Sequence, residues 1–102
     1  MNTIKLSEFE NTPVATIDIN GTAVAVFKVG DDYYAIQNMC SHSEANLADG
    51  EVYDCKVECP LHGAEFDLKT GEALTLPATK PVTVFTTKVD GDSLVIKENL
   101  DA

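Results

Sequence analysis

Two short segments of this sequence, Cys40-Ser41-His42 and Cys59-Pro60-Leu61-His62-Gly63, place a histidine shortly after a cysteine. Sixteen residues, 43–58, separate the two segments. The chain contains only two histidines, and both lie in these segments, so an accidental combination of core cysteines and surface histidines explains the pattern poorly. Two thiolates and two imidazoles form a donor set for a thiophilic metal or an iron–sulfur cluster. We therefore predict two ligand loops around one metal centre.

The chain between and after the predicted ligand loops alternates between apolar and polar residues. Residues 51–58 predict one strand that lies between the two loops and holds them side by side. A second strand follows over residues 64–68, and Lys69-Thr70-Gly71 is typical of the turn that ends it. The apolar positions are Tyr53, Cys55 and Val57 in the first strand and Ala64, Phe66 and Leu68 in the second.

Strand-like periodicity also fills both ends of the chain. Asn20-Gly21 indicates a tight hairpin, because both central positions of a type I′ turn require positive φ, and Asp90-Gly91-Asp92 indicates another. Residues 40–50 are polar and predict at most one helical turn, near residues 44–47. The predicted outer strands cover residues 14–20, 22–29, 33–39, 82–89 and 93–97. We expect one all-β domain over residues 1–102, with a small ligand-bearing β-subdomain inserted over about residues 39–80.

The charge balance narrows the classes of partner. Seven Lys and Arg against seventeen Asp and Glu give a net charge of −10, which argues against nucleic acid and anionic membranes. No apolar run approaches the ~20 residues of a membrane span, and the first ten residues lack the apolar segment of a secretory signal. We therefore expect a cytoplasmic protein. Three cysteines, an odd number, favour metal ligation over a disulfide framework in such a chain.

The pattern C-x-H, sixteen residues, C-x-x-H-G resembles the Rieske iron–sulfur domain. The resemblance continues at Phe66-Asp67, Thr70-Gly71 and Pro77-Ala78, and therefore spans most of the chain. It implies an antiparallel β-sandwich and a 2Fe–2S cluster in which two cysteines bind the inner iron and two histidines bind the outer iron. The ligands would be Cys40 and Cys59 for the inner iron and His42 and His62 for the outer iron.

The same resemblance implies where the cluster meets its partners. Residues 77–81 correspond to a proline-containing loop that covers the cluster near one tip of the molecule. The cluster would be rimmed by a docking face of few charges, made of Ser41, Ser43, Glu44, Leu61 and Pro77–Ala78.

Two departures from respiratory-type Rieske proteins predict a low reduction potential. Those proteins carry an extra cysteine in each loop, and the matching positions here are Ala45 and Leu61, so the corresponding disulfide cannot form. They also place a serine and a tyrosine after the second histidine, where this chain has Ala64 and Phe66. Hydrogen bonds to sulfur stabilise the more negative reduced state, so their loss lowers the potential.

The low-potential type resembles the ferredoxin component of bacterial aromatic-ring dioxygenase systems. The resemblance implies a monomeric one-electron carrier, not an enzyme in itself, that accepts electrons from an NAD(P)H-dependent flavoprotein reductase. It would pass them to the Rieske centre of a terminal oxygenase, where the ring chemistry takes place. The acidic excess would then guide the carrier toward basic partner surfaces.

Two alternatives remain at this stage. One is a Rieske-like subunit of another reductase, such as the small subunit of a nitrite reductase. The other is a structural Cys₂His₂ zinc module, which fits less well because zinc fingers usually pair like ligands. Cys55, the third cysteine, could serve as a third ligand or a redox sensor, but a role as a small buried apolar residue explains it more simply.

Overall fold

The structure, a computed structural model, describes residues 3–39, 45–60, 63–75 and 81–98. In these ranges the regular elements are nine β-strands and two short 3-10 helices, with no α-helix, which confirms the predicted all-β class. Within the same ranges, no helix has the length and apolar character needed to cross a membrane. The strands are β1 (Thr3–Lys5), β2 (Val14–Ile19), β3 (Thr22–Val29), β4 (Asp32–Gln37), β5 (Val52–Tyr53), β6 (Lys56–Glu58), β7 (Glu65–Asp67), β8 (Val84–Asp90) and β9 (Ser93–Glu98), and the 3-10 helices are Leu6–Phe9 and Leu47–Asp49.

The strands form two antiparallel sheets of unequal size. Six strands make a large sheet in the order β1-β9-β8-β4-β3-β2, and three make a small sheet in the order β5-β6-β7. The small sheet lies in the sequence between β4 and β8, and these two strands are neighbours in the large sheet. The predicted β-insert between the outer strands is therefore present.

Strand β3 is buried on both faces, because its side chains alternate between two hydrophobic cores. Ala25 and Phe27 belong to an inter-sheet core between the large and small sheets, whereas Val24 and Val26 belong to a second core on the opposite face. Ile4 of β1 and Ile19 of β2 lie at opposite edges of the large sheet but share this second core, so the sheet curls around it. The buried members of the inter-sheet core are Ala25, Phe27, Ile36, Ala45, Leu47, Val57, Cys59, Ala64, Phe66, Leu68 and Val82.

The Asn20-Gly21 hairpin forms as predicted, with φ of 52° and 87° at its two central residues. The prediction of one continuous strand over residues 51–58 is wrong. Asp54 and Cys55 have φ of 51° and 59° and form a two-residue turn between β5 and β6. Cross-strand partners share a face of a sheet. Tyr53 is therefore on the same face as its partner Lys56, whose ammonium lies 5.2 Å from the Tyr53 ring centroid.

Cys55 accordingly does not share an inward strand face with Tyr53 and Val57. Tyr53 is 39% exposed and Val57 is fully buried, while Cys55 is half-buried in the turn. The Cys55 side chain is hydrogen-bonded to the Tyr34 side chain. This bond is the largest cause of the raised pKa of Tyr34, and burial of the Tyr34 side chain is the second. Cys55 thus links the small sheet to β4, at the opposite end of β6 from Cys59.

Other predicted boundaries shift by a few residues. The helical turn expected near residues 44–47 is a 3-10 helix at Leu47–Asp49, and the strand expected over residues 33–39 ends at Gln37. Ala64, Phe66 and Leu68 are all fully buried, as their alternation predicted. Strand β1 and the first 3-10 helix were not predicted.

After β7 the chain turns and runs back beside it. The Asp67 carboxylate accepts hydrogen bonds from the Lys69 and Thr70 backbone amides at 2.7 and 3.2 Å. Gly71 ends this turn with φ of 76°, and its carbonyl accepts a bond from the Val82 amide at 2.8 Å. A Cβ on Gly71 would overlap the Val82 carbonyl and a Val84 methyl group. The turn therefore docks against the start of β8 through a residue that has no side chain.

We expect Gly71→Ala to destabilise the fold more than Gly91→Ala. Both positions have positive φ, which costs an alanine roughly 1–2 kcal/mol. Gly91 has open space around its Cα, whereas Gly71 adds a clash with backbone, a further cost of roughly 1–3 kcal/mol. Denaturant unfolding of the two variants measures the difference. Equal losses of unfolding free energy would contradict the close approach at Gly71.

Candidate metal centre

The structure describes one of the four predicted ligands, Cys59. Cys40, His42 and His62 lie outside the described residues. The same holds for the predicted rim residues Ser41, Ser43, Glu44, Leu61 and Pro77–Ala78. The structure describes the residues that flank each predicted ligand loop.

The second ligand loop is closed at the end of the β6–β7 hairpin. Beyond the Glu58–Glu65 pair, the Cys59 amide donates to the Ala64 carbonyl at 2.7 Å. The Gly63 amide donates to the Cys59 carbonyl at 3.0 Å, and Gly63 has φ of 74°. Cys59 is thus held in a tight loop, as Gly63 predicted, and it is only 1% exposed.

The first ligand loop is closed by an antiparallel bridge between Met39 and Asn46. The Leu47 amide donates to the Asn38 carbonyl at 2.6 Å just outside this bridge. The Asn38 side chain is buried, accepts a hydrogen bond from the Ala48 amide at 3.0 Å, and donates to the Asn46 side-chain oxygen at 3.2 Å. Asn38 therefore fastens the returning arm of the loop to the end of β4.

Sequence reasoning missed Asn38. Asn38 lies two residues before the predicted ligand Cys40, but the apolar–polar alternation of a strand does not indicate that an amide side chain is buried. The signal that could have found it is chemical: a polar side chain at the base of a loop is well suited to bond backbone groups that have left the sheet ladder.

The two loops are brought together at Gly50. A Cβ on Gly50 would overlap the Glu58 carbonyl oxygen, and the Glu58 amide donates to the Glu51 carbonyl at 2.8 Å. Gly50 has φ of −85°, which any residue can adopt, so its requirement is for space alone. The returning arm of the first loop therefore lies against the strand that leads directly into Cys59.

The surroundings of Cys59 are apolar. Ala45, Leu47, Val57, Ala64 and Phe66 share the inter-sheet core with it. A thiolate in such a pocket is costly unless a metal ion compensates its charge. Two thiolates balance the net positive charge of an oxidised cluster of two ferric ions and two sulfides, and neutral imidazoles add none. The described residues and the donor set of the sequence therefore fit a 2Fe–2S cluster.

Comparison with known proteins gives consistent matches. Residues 1–86 match the family described as Rieske [2Fe-2S] domain. The 3-phenylpropionate/cinnamic acid dioxygenase ferredoxin subunit of Escherichia coli (strain K12) is 49% identical over 74 residues, which cover 72% of this chain and 70% of that protein.

Two solved structures superpose over nearly the whole chain. The ferredoxin of carbazole 1,9a-dioxygenase from Nocardioides aromaticivorans IC177 has a TM-score of 0.88 at 34% identity, covering 97% of both chains. A chain from a complex of reduced oxygenase and oxidized ferredoxin in carbazole 1,9a-dioxygenase has a TM-score of 0.85 at 28% identity, again covering 97% of both chains.

We expect Gly50→Ala to lower both stability and iron content. The added methyl group must displace the Glu58 backbone, at a cost of roughly 1–3 kcal/mol, and would move Cys59 relative to the first loop. Glu51→Ala is the matched control, because the exposed Glu51 contributes its backbone carbonyl to the contact with Glu58. Iron per chain and the free energy of unfolding are the measurements. A Gly50→Ala protein that matches the control in both would contradict the role given to this contact.

Proposed function

Because the chain belongs to the Rieske [2Fe-2S] domain family, we propose that it is a one-electron carrier that serves the terminal oxygenase of an aromatic-ring dioxygenase system. The observation that carries this proposal is the likeness to the carbazole dioxygenase ferredoxin over 97% of both chains at 34% identity. The 49% identity to a dioxygenase ferredoxin subunit supports the same role. The electron-transfer role needs no substrate pocket in this chain, and the ring chemistry belongs to the oxygenase.

The proposed ligands are Cys40 and Cys59 on the inner iron and His42 and His62 on the outer iron. When bound, the cluster supplies a one-electron couple. The burial of Cys59 supports its place on the inner side. The hydrogen bonds of the Cys59 backbone with Ala64 and Gly63, and the apolar side chains beside Cys59, hold this residue away from water.

The proposed partners are a flavoprotein reductase as electron donor and a terminal oxygenase as acceptor. A related chain occurs in a complex of oxygenase and ferredoxin, which supports the second of these. The net charge of −10 suits basic docking surfaces and speeds encounter with them. We further propose that residues 1–102 form one monomeric, cytoplasmic domain whose cluster-binding part is about residues 39–80.

The identity of the metal centre is tested directly by EPR of the dithionite-reduced protein, with iron, acid-labile sulfide and zinc assayed on the same sample. We expect a rhombic signal with average g below 2 and two irons and two sulfides per chain, as mixed histidine and cysteine ligation implies. Cys59→Ser should lose the visible colour, whereas Cys55→Ser should keep it because Cys55 lies in the β5–β6 turn. A silent spectrum together with stoichiometric zinc would refute the proposed electron carrier and indicate a structural zinc module.

The reduction potential should lie at the low end of the range for Rieske centres, roughly −150 to +300 mV. Ala64 is fully buried next to the Cys59 loop and offers no hydroxyl. Ala64→Ser should raise the potential by about 20–65 mV, the one-electron equivalent of one net hydrogen bond to the reduced cluster. Ala25→Ser, equally buried on β3, is the control for a hydroxyl introduced elsewhere in the inter-sheet core. A wild-type potential well above zero would refute this prediction.

A further inference from the structure

The small sheet has an inner face and an outer face. The inner face packs on the inter-sheet core and carries Val52, Val57 and Phe66, which are cross-strand partners on β5, β6 and β7. Side chains alternate between the two faces of a strand, so the residues on either side of these three point outward. The outer face therefore carries Glu51, Tyr53, Lys56, Glu58, Glu65 and Asp67, and all of these are exposed or half-buried.

Three glutamates form one row across this outer face. Glu58 on β6 is the cross-strand partner of Glu65 on β7, and on its other side the Glu58 amide donates to the Glu51 carbonyl at 2.8 Å. We call Glu51, Glu58 and Glu65 the glutamate row, and it lies directly beside the Cys59–Ala64 closure of the second ligand loop. Like charges on opposite residues of a sheet are destabilising, so this row indicates a use outside the fold.

The chain compensates one end of the glutamate row and leaves the rest charged. The Glu65 carboxylate accepts a hydrogen bond from the Tyr53 hydroxyl and lies 3.4 Å from the Lys56 ammonium. Among the described residues, the carboxylates of Glu51 and Glu58 have neither a hydrogen bond nor an ion pair. Two negative charges are therefore left to interact with a surface that approaches this face.

Two large apolar side chains flank the glutamate row. The chain returns beside β7, where the Leu74 amide donates to the Glu65 carbonyl at 2.8 Å, so Leu74 continues the row on the outer face. Leu74 is 40% exposed, and Tyr53, whose hydroxyl contacts Glu65, is 39% exposed. Exposed apolar side chains among polar ones are typical of surfaces that bind other proteins. The outer face thus combines uncompensated charge with apolar contact area.

We propose that the glutamate row, with Tyr53 and Leu74, is a docking surface for a basic region of the protein that accepts the electron, which is the terminal oxygenase in the proposed function. This inference rests on the proposed function, because it assumes that the chain carries a cluster and delivers electrons. Glu58 immediately precedes Cys59, so a partner held by the row lies next to the proposed centre. Lysine and arginine side chains of that partner pair with the Glu51 and Glu58 carboxylates.

The charge of the proposed centre distinguishes an electron acceptor from an electron donor. The oxidised centre is neutral, and one added electron makes the reduced centre negative. A basic surface beside the centre therefore binds the reduced carrier more strongly than the oxidised carrier. An acceptor needs this order, because it captures the reduced carrier and releases the oxidised carrier. A donor needs the opposite order.

The test follows electron transfer to cytochrome c, a basic one-electron acceptor, from the iron-loaded protein that has been reduced and freed of excess dithionite. One electron leaves the reduced cluster, which becomes diferric, and the ferric haem becomes ferrous. The Glu51→Gln/Glu58→Gln variant removes two charges from the row and keeps the size of both side chains. Asp31→Asn/Asp92→Asn is the matched control, because it removes the same charge from the β3–β4 and β8–β9 hairpins, at the end of the large sheet away from Met39.

We expect the Glu51→Gln/Glu58→Gln variant to lower the second-order rate constant roughly two- to tenfold at low ionic strength, and the control to leave it nearly unchanged. At a salt concentration of about 1 M, where the Debye length is about 3 Å, the rate constants of both variants and the wild type should converge. Oxidation by ferricyanide, an anion, should instead become faster in the Glu51→Gln/Glu58→Gln variant, because two repelling charges are gone.

Equal rate constants of the row variant and the control with cytochrome c would overturn the inference. A row variant that is slower with both oxidants would also overturn it, since that result indicates a damaged centre. Sedimentation that shows a wild-type dimer, lost in the row variant, would assign the face to a second copy of this chain and overturn the inference as well. If the double variant does not fold, Glu51→Gln alone decides by the same criteria.

The failure of this inference is distinct from the failure of the proposed function. A wild-type protein without iron and sulfide would overturn both together. A loaded wild type whose rate constant with cytochrome c does not respond to the row variant would overturn the docking surface alone.

Discussion

The proposed metal centre depends on a contact between two backbones, that of Gly50 against the carbonyl of Glu58. Each ligand loop is closed at its own base by local hydrogen bonds, at Met39–Asn46 and at Cys59–Ala64. Those bonds close each loop at its base but do not set the distance between the two bases. The contact at Gly50 sets it, because any side chain there would separate the returning arm of the first loop from the strand that enters the second.

The large sheet supplies the rigid support for this contact. β3 is buried on both faces, so the sheet cannot move on one side without disturbing packing on the other. Two side chains at the end of β4 fasten the first ligand loop to this sheet. The Gln37 side chain bonds the Met39 carbonyl and the Thr83 amide. The Asn38 side chain bonds the Ala48 amide in the returning arm of the loop. Rigid support beneath the proposed site would limit the rearrangement that accompanies a change in its charge, and a small rearrangement favours fast electron transfer.

The features that could be predicted from the sequence were those that depend on residues close together in the chain. Asn20-Gly21 predicted the hairpin between β2 and β3 because both residues tolerate positive φ. The turn at Asp54-Cys55 was missed because cysteine rarely adopts positive φ, and because alternation continues unbroken through a two-residue turn. The spacing of cysteines and histidines identified the ligand set as a hypothesis. The partners of Gln37 and Gly50 come from elsewhere in the chain, up to 46 residues away for Gln37, and no local pattern encodes them.

The adjacency of β4 and β8 has a consequence for how such a protein can diversify. The chain leaves the large sheet after Gln37 and rejoins it at Thr83, and backbone hydrogen bonding joins these two residues directly. The segment between them therefore leaves and rejoins the large sheet at neighbouring strands, so a change in its length does not require a change in the strand order of the large sheet. A replacement must still cover Ala25, Phe27 and Ile36, which are buried in the inter-sheet core. The same scaffold could thus carry different cofactor ends, or none.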